Sequence, residues 1–287
     1  MLWTNELLTS LRKSAIQLIQ VDEQDLPIGS SKFGGLPHVP VGFQWPYFDG
    51  IEGEIYYVEK KNRPLSFLAQ FNLEEVAQFD EENLLPKKGF LYFFYELETM
   101  CWGIDVEKEK DCFRVIYLDV SVNELQPLAY PIDLNEMGRI PEVVIELNKK
   151  VSMPSFEEVH AYYLEEEDYS TSWDTYHNAL EQNGFEKKED ETEHQLLGYA
   201  NVIQGCVQGE IEIATQNIKE LYRKPPEEQK RVIEASKDWI LLFQMGTVQK
   251  DNYWLMFGDC GQLYFYIKEN DLKNLRFDRC WISLQCA

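Results

Sequence analysis

Positive charge is scarce in this chain. Against 50 Asp and Glu it carries 27 Lys and Arg, a formal net charge of −23 at pH 7. Nucleic-acid binding rests on neutralising phosphates with Lys and Arg, and anionic membranes draw in polybasic segments. Neither is an expected partner, whereas a basic protein would be attracted. Long apolar runs are missing as well: no stretch approaches the roughly 20 residues that cross a bilayer. The opening MLWTNELLTSLRKSAIQLIQ has neither the basic start nor the small-residue cleavage site of a signal peptide. The expected location is therefore cytoplasmic. The six cysteines (101, 112, 206, 260, 280 and 286) form no CxxC pair, which excludes a zinc ribbon or a thioredoxin-like motif and leaves buried, reduced thiols. No phosphate loop, dinucleotide fingerprint or G-x-S-x-G elbow is present. No cofactor or metal is expected.

Aromatic residues are plentiful, with 16 Phe, 16 Tyr and 7 Trp, and the composition is that of a globular protein. Three phrases occur twice in the same order. GGLPHVPVG (34–42), FLAQF (67–71) and GFLYFF (89–94) match LGYANVIQG (197–205), LLFQM (241–245) and GQLYFY (261–266). Their spacing agrees too: 19 residues separate Gln70 from Gly89, and 17 separate Gln244 from Gly261. This pattern reads as an internal duplication. Each unit alone would expose one apolar face, so the two are expected to bury it against each other.

The expected organisation is a single domain over 1–287, with an N-terminal helix and linker (1–30), repeat one (31–141), an acidic helical insert (142–193) and repeat two (194–287). The N-terminal segment reads as an amphipathic helix with Leu7, Leu8, Leu11, Ala15, Leu18 and Ile19 on one face. Strands are expected at 65–71, 89–95, 113–120, 238–245, 253–257, 261–267 and 279–286. Asn72 caps a short helix, with Glu75 at the capping-box position. Ser155 and Glu158 form a capping box opening a second helix, Ser172 starts a third, and Gly184 closes it. Pro225 and Pro226 open a helix through 237, and a short helix lies near 269–275. The fold class is α+β: mainly antiparallel sheet built from two duplicated, aromatic-rich β units with peripheral helices.

The chain resembles a bacterial family of unknown function typified by YwqG. The resemblance rests on GGLPHVP followed by QWP, PLSFLAQFNLEEV, LLPKKGFLYFF and FRVIYLD. In the second half it rests on HQLLGYANVIQG, WILLFQM, GDCGQLYFYIKENDL and RCWISLQC. It implies a single α+β unit and supplies no catalytic residues. Where the family shows an acidic turn after LLFQM, this chain has GTVQKDN.

Gln70 and Gln244 occupy matching places inside apolar strands, so each needs buried hydrogen-bond partners. A bond to the neighbouring glycine-rich segment satisfies that need, and a pair of ligand-facing amides is the alternative. Trp45 and Trp281 read as core before cofactor platform. Cys260 sits in the GD-C-G hairpin turn with no histidine nearby in sequence. His160 and His177 lie on separate helices among carboxylates and read as solvated, with convergence on a metal as the alternative.

With no catalytic constellation, the leading expectation is a non-enzymatic, acidic protein-binding module, immunity- or antitoxin-like, masking a basic partner. Its acidic face would be Glu165, Glu166, Glu167 and Asp168, between the repeats. The competing expectation is a small-molecule- or metal-dependent enzyme with a pocket at the seam between repeats, lined by His38, Trp45, Gln70, Gln244 and Asp259.

Overall fold

A computed structural model describes residues 3–22, 26–49, 62–163, 169–185 and 194–287. Ten strands form its main sheet: β1 (Lys13–Val21), β2 (Lys32–Phe33), β3 (Ser66–Asn72), β4 (Phe90–Tyr95), β5 (Phe113–Leu118), β6 (Val143–Ser152), β7 (Gln195–Leu196), β8 (Trp239–Met245), β9 (Gln262–Lys268) and β10 (Trp281–Gln285). Their order is β10-β9-β8-β7-β1-β6-β2-β3-β4-β5, and every neighbouring pair is antiparallel. Eight α-helices surround the sheet among the described residues: α1 (Asn5–Leu11), α2 (Leu73–Val76), α3 (Val106–Glu109), α4 (Phe156–Tyr163), α5 (Tyr169–Gln182), α6 (Val207–Thr215), α7 (Pro226–Ser236) and α8 (Glu269–Lys273).

The two flanks of the sheet run in the same internal order. β2-β3-β4-β5 lies to one side of the central β1–β6 pair, and β7-β8-β9-β10 to the other. The central strands cross over. β1, which precedes flank one in the chain, pairs with β7 of flank two, and β6, which precedes flank two, pairs with β2 of flank one. Each flank carries a bulge at the same place, at Leu68 against β4 and at Leu242 against β9. A bulge bends and twists its strand, and here each flank curls over the other. Phe71 and Phe93 from flank one meet Phe243 and Phe265 from flank two, with ring centroids 4.8–5.2 Å apart in three cross-flank pairs. Phe113 closes the far end against Trp281 at 5.6 Å. Such pairs add about 0.5–1.5 kcal/mol each beyond the apolar area they bury.

The N-terminal segment departs from the expected single helix. α1 stops at Leu11, where Arg12 takes extended backbone (ψ 140°), and the chain continues as β1. Ile16, Ile19 and Val21 are β-branched and favour a strand, and β1 gains a full ladder with β6 from Lys13↔Ser152 to Val21↔Val144. Tertiary pairing thus outweighs the helical spacing of the leucines. The stretch read as a helical insert likewise begins with a strand, β6, at the centre of the sheet. Ser155 and Glu158 do form the capping box of α4, with Glu158 N donating to Ser155 Oγ (3.1 Å) and Ser155 N to Glu158 Oε2 (3.0 Å). α5 starts three residues before the expected Ser172. Asn72 caps α2, but Glu75 accepts from Ser31 N instead of closing a box. α1, α4 and α5 share a small second core, in which Trp3 meets Tyr176 edge-on at 4.9 Å.

Candidate functional site

The glycine-bearing segments at 34–42 and 197–205 lie against the two flanks in the same way. Gly34 and Gly35 take positive φ, as do Leu197 and Gly198 at the aligned positions. In flank one, His38 N donates to Gln70 Oε1 (2.8 Å) and Tyr92 Oη donates to His38 O (2.7 Å). In flank two, Asn201 N donates to Gln244 Oε1 (2.8 Å) and Tyr264 Oη to Asn201 O (2.8 Å). Each glutamine and tyrosine therefore fixes the main chain of one residue, His38 or its counterpart Asn201. Ser31 Oγ accepts from Asn72 N, and His194 Nδ1 accepts from Gly246 N at the matching place.

The flanks differ in the side chains this frame carries. Lys32 in β2 is fully buried; its Nζ donates to Leu36 O (2.8 Å) and to the Glu142 carboxylate, and lies 3.4 Å from His38 Nε2. Gln195 occupies the position of Lys32 and donates to Tyr199 O, the counterpart of Leu36 O. Gly35 packs against Glu142, and Gly198 packs against Ala15 in the same manner. A Lys–His–Glu trio in flank one thus faces Gln–Asn–Ala in flank two.

Burial pulls the Lys32 amine below its usual range, against the Glu142 carboxylate, which favours its charge. Desolvation and the nearby Lys32 charge depress His38 to about 4, so it is neutral near pH 7. Its Nδ1 accepts from Gly29 N (3.0 Å), which puts the ring proton on Nε2, facing Lys32. Glu142 is the trio's door to solvent, with 38% of its side chain exposed.

Glu142 ends a loop that runs from Leu128 along the outside of flank one. Gly35 N donates to Ile140 O (2.8 Å), and Tyr130 stacks edge-on against Trp45 at 6.0 Å. The loop exposes Ile132 almost completely (98%) and Met137 to 79%. Tyr47 Oη donates to Asp133 Oδ1 (3.2 Å), and Tyr253 Oη, from the hairpin Val248–Lys250/Tyr253–Leu255 of flank two, donates to Met137 O (2.8 Å). That hairpin exposes Trp254. Asp133, Glu136, Glu142 and Asp251 lie on the same loop and hairpin.

Of the residues singled out from sequence, His38 and Gln70 are in contact, Gln70 Nε2 lying 3.2 Å from His38 Nδ1 and donating to Ser30 O (2.8 Å). Trp45 packs on Phe94 and donates to Leu65 O (2.8 Å). Gln244 sits at the matching place on the other flank. Asp259 lies in an exposed turn, its carbonyl accepting from Ala287 N (2.9 Å). Trp281 is buried and donates to Gly103 O, and Cys260 is exposed in the turn closed by the Phe257–Gly261 bridge. Glu165, Glu166, Glu167 and Asp168 lie outside the described residues. Lys32 and Glu142 were missed. Aligning the repeats residue by residue would have exposed Lys32, which replaces a neutral amide, but nothing short of the β6–β2 pairing points to Glu142.

Residues 31–286 match the model of a domain of unknown function, DUF1963. The chain belongs to this family. A comparison with curated proteins finds no match. Among the described residues of this DUF1963 protein, no helix is long and apolar enough to cross a membrane, and no three His, Cys, Asp or Glu side chains are grouped to hold a metal.

Proposed function

We propose that this DUF1963 protein is a non-enzymatic binding module that masks a basic partner protein, in the manner of an immunity protein or antitoxin. The carrying observation is the 128–142 loop with its neighbouring hairpin: Ile132, Met137 and Trp254 are exposed, and the same two segments, joined by the Tyr253–Met137 hydrogen bond, carry Asp133, Glu136, Glu142 and Asp251. An apolar centre on a loop and hairpin that carry four acidic residues and two basic ones, Arg139 and Lys250, suits a partner with apolar anchors and a mainly basic rim. The net charge of −23 would steer such a partner in. The trio serves this surface as an anchor. Lys32 is fully buried, and it holds Glu142 where the loop rejoins the sheet. The matched hydrogen bonds of the flanks support an origin by duplication, with the charges belonging to one copy. The YwqG-like resemblance and a cytoplasmic location belong to the same reading.

The test is affinity capture of the tagged protein from lysate of its own organism at low and moderate salt, beside the Ile132→Ser/Met137→Ser variant. The expected result is a stoichiometric basic partner, released by salt and captured about tenfold less by the variant, a loss of about 1.4 kcal/mol. Equal capture by both would overturn the assignment of this surface.

A second reading, a small-molecule-dependent enzyme at the seam, is favoured by one observation: an amine of lowered pKa beside a carboxylate is a pairing used in catalysis. A metabolite retained by the native protein and lost from Lys32→Gln would support it.

A further inference from the structure

A groove of about 870 Å³ runs between α5 and the middle of the sheet, with Gln17 of β1, Lys149–Ser152 of β6 and the 200–202 segment along its other walls. Its volume falls within the range of small-molecule sites, and it lies apart from the trio and the 128–142 loop. Three independent features mark it as built for a ligand.

The first is Asn201. Gln244 and Tyr264 lock its main chain from both sides, yet its side-chain Nδ2 is buried and has no hydrogen-bond partner among the described residues. An orphaned buried donor is costly and uncommon. The aligned residue of flank one, His38, has its Nδ1 satisfied by Gly29 N, so the shared frame does not impose the vacancy. The second is Trp173. Its indole is 42% exposed and stacked on His177 with centroids 3.9 Å apart and planes 26° from parallel; His177 Nδ1 lies 3.0 Å from Trp173 O. A large ring braced from beneath forms a flat platform. The third is charge. In a chain of net −23, the lining of this groove is balanced, with Lys149 and Lys150 against Glu157 and Glu181. Lys149 already pairs with Glu81 (2.8 Å), and Lys150 donates to Gln195 Oε1 (3.2 Å).

We propose that this groove binds an uncharged saccharide. The apolar face of a sugar ring would lie on Trp173, and Asn201, whose residue is only half-buried, would turn its Nδ2 outward to donate to a hydroxyl or ring oxygen. A nucleotide would also stack, but its phosphates would meet the repulsive field of the acidic chain and no uncommitted cation in the groove.

The test uses the full chain and three neutral probes, cellotriose, maltotriose and triacetylchitotriose, followed by saturation-transfer NMR and tryptophan fluorescence, with adenosine as the competing ring. At least one trisaccharide should bind. Trp173→Ala should weaken that binding about tenfold and Asn201→Ala about threefold, with thermal unfolding unchanged, while Trp173→Tyr should retain most of it. No transfer from any trisaccharide at millimolar concentration would overturn the proposal. So would binding indifferent to Trp173→Ala, or binding of adenosine alone.

Discussion

Lys32 and Glu142 form an ion pair whose members sit in different surroundings, one fully buried and the other 38% exposed. Removing the exposed member alone leaves a buried ammonium without its counter-charge, which costs about 3 kcal/mol, the low end for a buried pair because Glu142 is partly solvated. Glu142→Ala should therefore destabilise strongly in urea titrations, and adding Lys32→Gln, the flank-two combination, should restore much of the loss. An additive double variant would contradict the pairing. Glu158 is a second buried charge. Its carboxyl, desolvated beneath α4, is pushed up to about 7 from 4.5, with Ser155, Lys13 and Gln208 opposing the shift. The folded state holds this proton to higher pH than the unfolded chain does. Its stabilising contribution is complete below pH 4.5 and is lost as pH rises through 7. Glu158→Gln keeps the capping box and should raise stability at pH 8 relative to pH 5, by on the order of 3 kcal/mol, measured by denaturant midpoints at the two pH values. Sequence reading reached Gln70, Gln244 and His38 because apolar surroundings make a lone polar residue conspicuous. It passed over Lys32 because a lysine beside a glycine-rich stretch looks like surface.

Among the elements, β10 would end the sheet with an open edge, a hazard for edge-to-edge association. The 101–103 segment covers it: Leu284 N donates to Trp102 O (3.1 Å) and Trp281 Nε1 to Gly103 O (2.7 Å). Gly103 has φ +81°, and a Cβ there would lie 2.1 Å from Ile282 O. Gly103→Ala should destabilise by at least about 2 kcal/mol and promote association visible in light scattering; a monomeric variant of wild-type stability would refute this role. Most strands were legible. β3, β4, β5, β8, β9 and β10 lie within about two residues of their expected bounds, because apolar, aromatic runs between turn residues leave little choice. β1 and β6 were not. β1 carries Ala15, Leu18 and Ile19 in helical register with the leucines of α1, β6 carries exposed polar residues from Glu146 onward, and both are strands because each completes the other's ladder, a long-range fact absent from either segment alone.

At the scale of the whole molecule, one frame is used twice and charged once. His38 and His194 are both held near 4 by burial, far below 6.5. The unfolded chain binds their protons more readily, so their contribution is full above pH 6.5 and is lost as pH falls toward 4. Acid unfolding should therefore begin below pH 6.5, and His38→Asn, which installs the flank-two residue, should reduce that loss by about half; an unchanged acid profile would place its origin elsewhere. The central claim is that the Gln–Tyr frame holds the sheet while the Lys–His–Glu trio holds the contact loop. The most direct test is amide hydrogen exchange on the Lys32→Gln/His38→Asn/Glu142→Ala variant. The account predicts that β3 and β4 stay as protected as in the wild type while amides of 128–142 exchange faster. Loss of protection in β3 and β4 along with the loop would contradict it and make the trio part of the sheet's own support.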